Sequence, residues 1–309
     1  MSSTPLSRRR LGRTDMDVTE VALGGVGLGG RRTTDDDNLA AATIREGWQR
    51  GINYLDTSPL YGESERRIGL GFRQMGGRPP GLYLSTKAGT HPLKRGDYSG
   101  AAIRWSVENS LNLLGVDAVD LLLVHDPDSM EPVLAAGGAL DELERLRGEG
   151  KLRWIGLGVR EHDKLRTAIR TGRFDAILTY ADYNLIRQTA APLIDEAAAA
   201  GVGVILAQVF LAGLLAGDDP AESINADRPD AKPARDWWLW ARERGISLRS
   251  LSLQYGLRNP KVGTVLVGAD SPAQIDEILA SASDPISKAV WDEVDNRIAQ
   301  QRATSSGQA

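Results

Sequence analysis

The sequence predicts an α/β protein of the (β/α)8, or TIM barrel, class. Short runs of leucine and β-branched residues alternate with longer amphipathic segments, which is the pattern of repeated βα units. Eight such units fit in about 250 residues, the usual size of this barrel. Polar side chains suited to proton transfer stand at the ends of three of the strands, and in this fold those ends meet on one rim. We therefore expect a single barrel domain over residues 1–309, with its functional site on that rim.

The strands and helices can be placed from their periodicity. Short apolar runs bounded by turn residues predict strands at residues 21–25, 52–55, 82–86, 119–125, 153–158, 175–180, 202–207 and 262–267. Helical spacing of apolar residues predicts helices near 38–50, 64–73, 99–114, 133–149, 161–172, 190–200, 232–245 and 272–282.

Three segments lie outside this repeat. Residues 10–18 alternate and turn like an N-terminal β-hairpin, which we expect to close the bottom of the barrel. Residues 287–302 read as a C-terminal helical tail. Residues 217–233 follow the seventh strand, contain three prolines and show no periodicity. Loops of this length in compact domains are usually functional, so we expect a lid over the site.

The composition excludes several functional classes. With 41 acidic and 37 basic residues the net charge is -4, so nothing favours binding to nucleic acid or to a membrane surface. The chain has no cysteine, which excludes disulfides, thiolate nucleophiles and zinc–thiolate sites, and we expect no metal. No segment has the ~20 apolar residues of a membrane span, and residues 1–10 are polar. We expect a cytoplasmic protein, with its oligomeric state left open.

Four polar residues at the strand ends indicate proton-transfer chemistry. They are Asp56 and Tyr61 after residues 52–55, Lys87 after residues 82–86, and His125 after residues 121–124. A phenol with a pKa near ~10 exchanges protons poorly at neutral pH, so Tyr61 needs a neighbour that lowers its pKa. An ammonium at Lys87 would do so, and Asp56 would pair with that lysine. Each residue alone could be a capping or solvated side chain, whereas four at converging positions favour a catalytic site.

The residues around Asp56 also resemble a known family. Residues 51–62 read G-x-x-x-x-D-[ST]-x-x-x-Y-G, which is similar to the signature of the aldo-keto reductase superfamily. The resemblance continues through residues 85–87, 122–127 and 155–158 to 267–268, and so covers nearly the whole chain. The His-Asp-Pro-Asp run at 125–128, with residues 104–111, most resembles the branch of L-galactose, L-fucose and D-threo-aldose 1-dehydrogenases and pyridoxal 4-dehydrogenase.

This resemblance implies a nicotinamide-dependent oxidoreductase. Tyr61 would be the general acid/base, Lys87 its activator, Asp56 the group that orients Lys87, and His125 the partner of the substrate oxygen. The implied substrate is a small sugar or carbonyl compound, and the implied reaction is oxidation of an aldose at C1 to a lactone. Two alternatives stay open: a general aldehyde or ketone reductase that uses NADPH, and a subunit that holds the cofactor as a redox sensor with little turnover.

The cofactor site does not follow the Rossmann pattern. No G-x-G-x-x-G follows a strand and opens a helix in this chain, although residues 25–30 are rich in glycine. The resemblance instead implies that the loops after the seventh and eighth strands hold the cofactor. The expected contacts are Gly25, Gln208, Leu211, Gly213, Gly268, Asp270, Gln274 and Glu277.

Asp270 bears on the choice between NAD and NADP. Relatives that use NADPH commonly carry Arg or Lys at this position, where the cation pairs with the 2′-phosphate. A carboxylate would repel that phosphate and could accept a hydrogen bond from a free ribose 2′-hydroxyl. We therefore expect NAD, with NADP as the alternative. Asp270 could also cap the helix that begins near Pro272, and the two roles are compatible.

Overall fold

A computed structural model describes residues 6–30 and 37–306 and, in its final helix, side chains as far as residue 302. It contains the predicted barrel. The strands that form it are β3 (Val21–Gly24), β4 (Tyr54–Asp56), β5 (Tyr83–Ala88), β6 (Val119–His125), β7 (Leu152–Gly158), β8 (Ala176–Tyr180), β9 (Gly203–Ala207) and β10 (Thr264–Gly268). They are parallel and neighbour one another in chain order, and β10 closes the barrel against β3. Residues 1–5, 31–36 and 307–309 of the predicted domain lie outside the described residues.

Helices cover the outside of the barrel. They are α1 (Asp37–Gln49), α2 (Ser64–Gln74), α3 (Gly100–Leu114), α4 (Glu131–Leu134), α5 (Ala139–Gly148), α6 (His162–Thr171), α7 (Ala191–Ala199), α8 (Ala231–Glu243), α9 (Leu248–Leu257), α10 (Pro272–Ser283) and α11 (Lys288–Ser306). Local signals set their ends: the Ser99 side chain caps α3, and Gly115 ends that helix in a left-handed conformation. Among the described helices, none has the length and apolar character needed to cross a bilayer.

The predicted helix over 133–149 is wrong, because the structure has two helices there. α4 ends at Leu134 and α5 begins at Ala139, with Gly137 between them at φ 73°. Glycine adopts this left-handed conformation at little cost, so it breaks the helical run. Gly138 then forms an isolated antiparallel bridge with Ser99, which ties the break to the start of α3.

Helix α9 was not predicted from the sequence. It begins after Ser247, whose side chain accepts a hydrogen bond from the backbone N–H of Ser250. Seven of its ten residues are buried, including Ser250 and Ser252 as well as three of its four leucines. A helix that is buried on most sides lacks the polar face that periodicity analysis looks for, which explains the omission.

The N-terminal hairpin closes the bottom of the barrel, as predicted. Its strands β1 (Arg8–Arg10) and β2 (Asp17–Thr19) pair antiparallel. Its side chains Leu11, Met16 and Val18 are fully buried in one cluster with interior barrel residues such as Leu121 and Ile205. The backbone N–H of Arg13 donates to Gly201 O at 2.7 Å, just before β9 begins. The hairpin therefore lies at the N-terminal end of the strands, opposite the rim where the sequence predicts the functional site.

Candidate active site

The four predicted catalytic residues meet at the C-terminal rim of the barrel. Asp56 ends β4, Lys87 is the last residue but one of β5, and His125 ends β6. Tyr61 lies in the loop between β4 and α2. All four side chains line one cavity of about 890 Å³. The fold thus brings together residues that are far apart in the sequence, as the strand-end pattern predicts.

Lys87 and Asp56 form a buried ion pair. The Lys87 Nζ lies 2.5 Å from Asp56 Oδ2 and donates a second hydrogen bond to Thr57 O at 2.7 Å. The other carboxylate oxygen accepts from Ser85 Oγ at 2.7 Å, and Ser85 in turn accepts from the Tyr54 hydroxyl at 2.8 Å. Both charges are almost completely buried, so these hydrogen bonds are what makes the pair tolerable inside the barrel.

Tyr61 lies beside this pair. Its ring centroid is 4.8 Å from Lys87 Nζ, and the ring meets the His125 imidazole edge-on with centroids 6.0 Å apart. Burial raises the pKa of Tyr61, and the Lys87 charge lowers it by less, so the pKa stays above its ordinary value of 10.0. Lys87 therefore acts in the predicted direction but is outweighed by burial. The phenol is neutral near pH 7, which is the form that can donate a proton.

The lysine keeps its charge. Burial alone would lower the pKa of Lys87, but the nearby Asp56 carboxylate and Tyr61 outweigh that effect and raise it. An ammonium that cannot be neutralised near pH 7 is a fixed positive charge next to Tyr61. It stabilises the phenolate whenever that form is needed.

His125 is neutral and held in one orientation. Its Nδ1 lies 2.7 Å from Thr90 Oγ1 and 3.2 Å from Ser58 Oγ. Burial, with smaller contributions from the Lys87 and Arg95 charges, lowers the pKa of His125 to about 2. Because Nδ1 is engaged, Nε2 is the nitrogen available to a ligand. A neutral imidazole can exchange hydrogen bonds with an oxygen but is not a reservoir of protons.

The comparison with known proteins agrees with this geometry. The sequence profile of the Aldo/keto reductase family matches residues 20–299. The chain belongs to this family. It is an NAD(P)-dependent oxidoreductase.

Several characterised members of the aldo/keto reductase family are similar over most of the chain. L-galactose dehydrogenase of Arabidopsis thaliana is 32% identical over 290 residues, covering 91% of this chain and 89% of the relative. D-threo-aldose 1-dehydrogenase of a Pseudomonas species is 30% identical over 325 positions, covering 95% and 97%. The solved structure of an aldo-keto reductase from Bacillus halodurans superposes with a TM-score of 0.78 at 23% identity, covering 95% and 96%. At that identity the superposition shows the shared barrel fold.

Six of the eight residues predicted to bind the cofactor of this reductase line the same cavity as Tyr61. They are Gly25, Gln208, Gly213, Gly268, Gln274 and Glu277. Two glycines leave the wall open to a ligand: a Cβ at Gly268 would meet only Gly24 O, at 4.0 Å, and a Cβ at Gly213 would meet nothing within 4 Å. Side chains there would project into the cavity, so their absence lets a ligand reach the backbone.

The other two predicted contacts are not among the residues that line this cavity. Leu211 is 1% exposed and packs in an apolar cluster with Leu214 and Leu215, so its side chain is turned into the protein, and its contact with the cofactor stays a prediction. Asp270 is half-buried and precedes Ser271, the N-cap residue of α10. The backbone N–H of Asp270 donates to Gln274 Oε1 at 2.9 Å, which ties this residue to a side chain of the cavity wall.

Sequence reasoning missed two arginines that line the cavity, Arg228 and Arg249. Arg249 donates from Nε to Ala216 O at 2.6 Å and forms an ion pair with Glu277. It belongs to α9, the helix that the sequence pattern did not reveal. Arg228 lies in the long loop predicted as a lid, where a cation facing the site could have been suspected. Glycine backbone with two guanidinium groups suits the anionic diphosphate of a dinucleotide.

The long loop is attached at several points. Asn225 Nδ2 donates to Ala212 O at 2.8 Å, and Trp238 Nε1 donates to Gly217 O at 3.1 Å. A short 3-10 turn spans Pro220–Glu222, and the last three residues of the predicted loop belong to α8. The segment thus has a defined path next to the cavity, and its role as a lid stays a prediction.

The rim also carries strained backbone. Within the described residues, all the non-glycine positions with positive φ follow the ends of barrel strands: Asp126, Ala181, Gln208, Leu211 and Ala212. Such conformations cost about 1–3 kcal/mol each and are retained mainly where function requires them. Their restriction to this rim is independent support for a site there.

Proposed function

We propose that this protein oxidises an aldose at C1 to the lactone, with Tyr61 as the proton-transfer group. The observation that carries the proposal is a buried phenol beside the permanent charge of Lys87 and the free Nε2 of His125, all in one cavity. The names of the Arabidopsis and Pseudomonas relatives, which are dehydrogenases of aldoses, support the substrate class. The polar side chains that line this cavity suit a small polyhydroxylated molecule.

The residues divide the reaction between them. The bound nicotinamide supplies the hydride chemistry. Tyr61 Oη takes the proton of the C1 hydroxyl during oxidation and returns it to the carbonyl oxygen during reduction. Lys87, held by Asp56, stabilises the phenolate that oxidation requires. His125 Nε2 forms a hydrogen bond with the same substrate oxygen and fixes its position between the Tyr61 phenol and the His125 imidazole.

The substrate class can be tested directly. We expect kcat/KM for oxidation of the best pentose or hexose to exceed that for reduction of simple aromatic aldehydes, measured by absorbance of the reduced nicotinamide. Efficient reduction of aromatic aldehydes with NADPH, together with inactivity on all sugars, would identify a general carbonyl reductase instead. Cofactor binding without turnover of any compound would favour the redox-sensor alternative.

We also propose that NAD is preferred over NADP and that Asp270 is a principal cause. A 2′-phosphate near this residue would meet a carboxylate and would lose the hydrogen bond that a free 2′-hydroxyl can donate. A hydrogen bond to a charged group contributes ~1.5–3 kcal/mol, so we expect a preference of about 10–150-fold in kcat/KM.

The substitution Asp270→Arg is expected to narrow or invert this cofactor preference, mainly through the KM of the cofactor. Asp276→Arg is the matched control, because Asp276 lies on α10, the helix that Asp270 precedes, and pairs with Arg50 away from the cavity. It makes the same change in net charge and should leave the ratio unchanged. A wild type that already prefers NADP, or an Asp270→Arg ratio within twofold of wild type, would assign cofactor choice to other residues.

A further inference from the structure

Asp126 lies in the wall between two cavities. It follows His125 directly at the end of β6 and lines the cavity that holds Tyr61. It also lines an adjoining cavity of about 840 Å³, together with Arg160 and Thr189. Tyr180 lines both cavities as well. Asp126 and Tyr180 therefore separate the reaction site from the neighbouring polar space.

The carboxylate of Asp126 is held in a defined orientation. Its Oδ1 accepts a hydrogen bond from the Tyr180 hydroxyl at 3.1 Å. Its Oδ2 lies 3.5 Å from His125 Nε2, too far for a strong hydrogen bond. The backbone has φ 40°, and its N–H donates to Gly158 O at 2.9 Å. This left-handed turn is unfavourable for most residues, and here it directs a carboxylate oxygen toward the reaction site.

The neighbouring groups offset only part of the cost of burying the Asp126 carboxylate. In the described part of the chain, its sole ion-pair contact is with His125, which is neutral. The side chain is 36% exposed, and among the described residues no lysine or arginine lies within ion-pair distance of it, although the charges of Lys87 and Lys164 act on it from farther away. Burial raises the pKa of Asp126, and the hydrogen bond from Tyr180 lowers it by less. A ligand that donates a hydrogen bond to this carboxylate would therefore stabilise its charge.

We propose that Asp126 determines substrate specificity by accepting a hydrogen bond from the hydroxyl on the carbon next to the reacting carbon. If His125 Nε2 holds the reacting oxygen, Asp126 Oδ2, which lies 3.5 Å from that nitrogen, is within hydrogen-bond reach of a hydroxyl on the neighbouring carbon. A substrate that lacks this hydroxyl leaves the carboxylate desolvated and unpaired. The inference deepens the proposed function and rests on its assignment of the reacting oxygen to His125.

The test compares substrates that differ by one hydroxyl group. In oxidation the pair is the most active aldose and its 2-deoxy analogue, and in reduction it is lactaldehyde and propanal. The wild type should favour the hydroxylated member by about 10–150-fold in kcat/KM, the range for one hydrogen bond to a charged group. Asp126→Asn, which tolerates the left-handed backbone, should reduce this ratio about tenfold, because a neutral acceptor replaces a charged one. Asp126→Gly, which fits the same backbone, should bring it close to one.

Asp128→Asn is the control, because Asp128 lines only the adjoining cavity. It should leave both ratios unchanged. Loss of activity by the same factor on both members of each pair would make Asp126 merely structural and overturn the proposal, as would variants that keep the wild-type ratio. Those outcomes leave aldose oxidation intact. Failure to oxidise any aldose, with a lactaldehyde-to-propanal ratio that still falls in the Asp126 variants, would overturn the proposed function but not this role. A protein that turns over none of the four compounds overturns both.

Discussion

Tyr61→Phe is expected to lower turnover by about 10²–10⁴-fold, the range for loss of one general acid/base. The substitution removes one oxygen and leaves the ring beside Lys87 and His125, so cofactor affinity and unfolding free energy should stay close to wild type. Steady-state kinetics in both directions, with cofactor titration and thermal unfolding, measure these effects. A variant that keeps more than half of wild-type turnover would remove Tyr61 from the mechanism.

The pH dependence of the wild type provides a second measurement of the same role. Because the pKa of Tyr61 is raised, the phenol predominates near pH 7. Reduction uses the phenol and should decline as pH rises through that pKa, whereas oxidation uses the phenolate and should increase over the same alkaline range. The residual activity of Tyr61→Phe should lose both dependences, since the titrating group is gone.

Lys87→Met is expected to abolish most activity and to lower the unfolding free energy by about 3–5 kcal/mol. The loss of stability arises because Asp56 stays buried, with Ser85 as a partner but without its cation. Adding Asp56→Asn should restore much of the stability, because the amide carries no charge and can still accept from Ser85. It should not restore turnover, because the charge beside Tyr61 is still missing.

Denaturant unfolding and turnover of Lys87→Met and of the double variant Lys87→Met/Asp56→Asn separate the structural from the catalytic role of this pair. Arg50→Met serves as the control, because Arg50 and Asp276 form an exposed pair, with side chains 39% and 55% exposed. Exposed pairs contribute about 0–1 kcal/mol, so this variant should be almost as stable as wild type. A Lys87→Met protein as stable as Arg50→Met would show that the buried pair contributes no more to the unfolding free energy than an exposed pair does.

The barrel could be predicted because its strands have a simple composition. Every residue of β6 is buried, and a parallel strand covered on both faces needs a continuous apolar run, which residues 119–124 provide apart from Asp120. The helices were harder to predict where tertiary contacts, and not an amphipathic pattern, determine the structure. In α9 the contacts of the folded protein surround the helix, and in the 133–149 segment Gly137 and Gly138 break a run that looks continuous in composition.

The positions of the proposed catalytic residues were predictable for a different reason. Asp56, Lys87 and His125 stand at strand ends, and barrel topology determines that such ends converge. The residues that tune them could not be found in this way. Thr90, which holds His125 Nδ1, follows its strand by two residues in a loop, and the path of that loop depends on contacts made after folding. Arg249 reaches the cavity from a helix, so no strand-end pattern marks it.

The hairpin that closes the barrel has a consequence for how the chain is made. The Arg9 guanidinium donates to the carbonyl of Asn259, 250 residues later, and the Thr264 hydroxyl donates to Thr19 O. At the usual rate of synthesis, ~5–20 residues per second, residues 8–19 leave the ribosome roughly 10–50 s before these partners exist. Throughout that interval Leu11, Met16 and Val18 have no complete barrel interior to enter. The hairpin therefore cannot close the N-terminal end of the barrel until β10 has been synthesised.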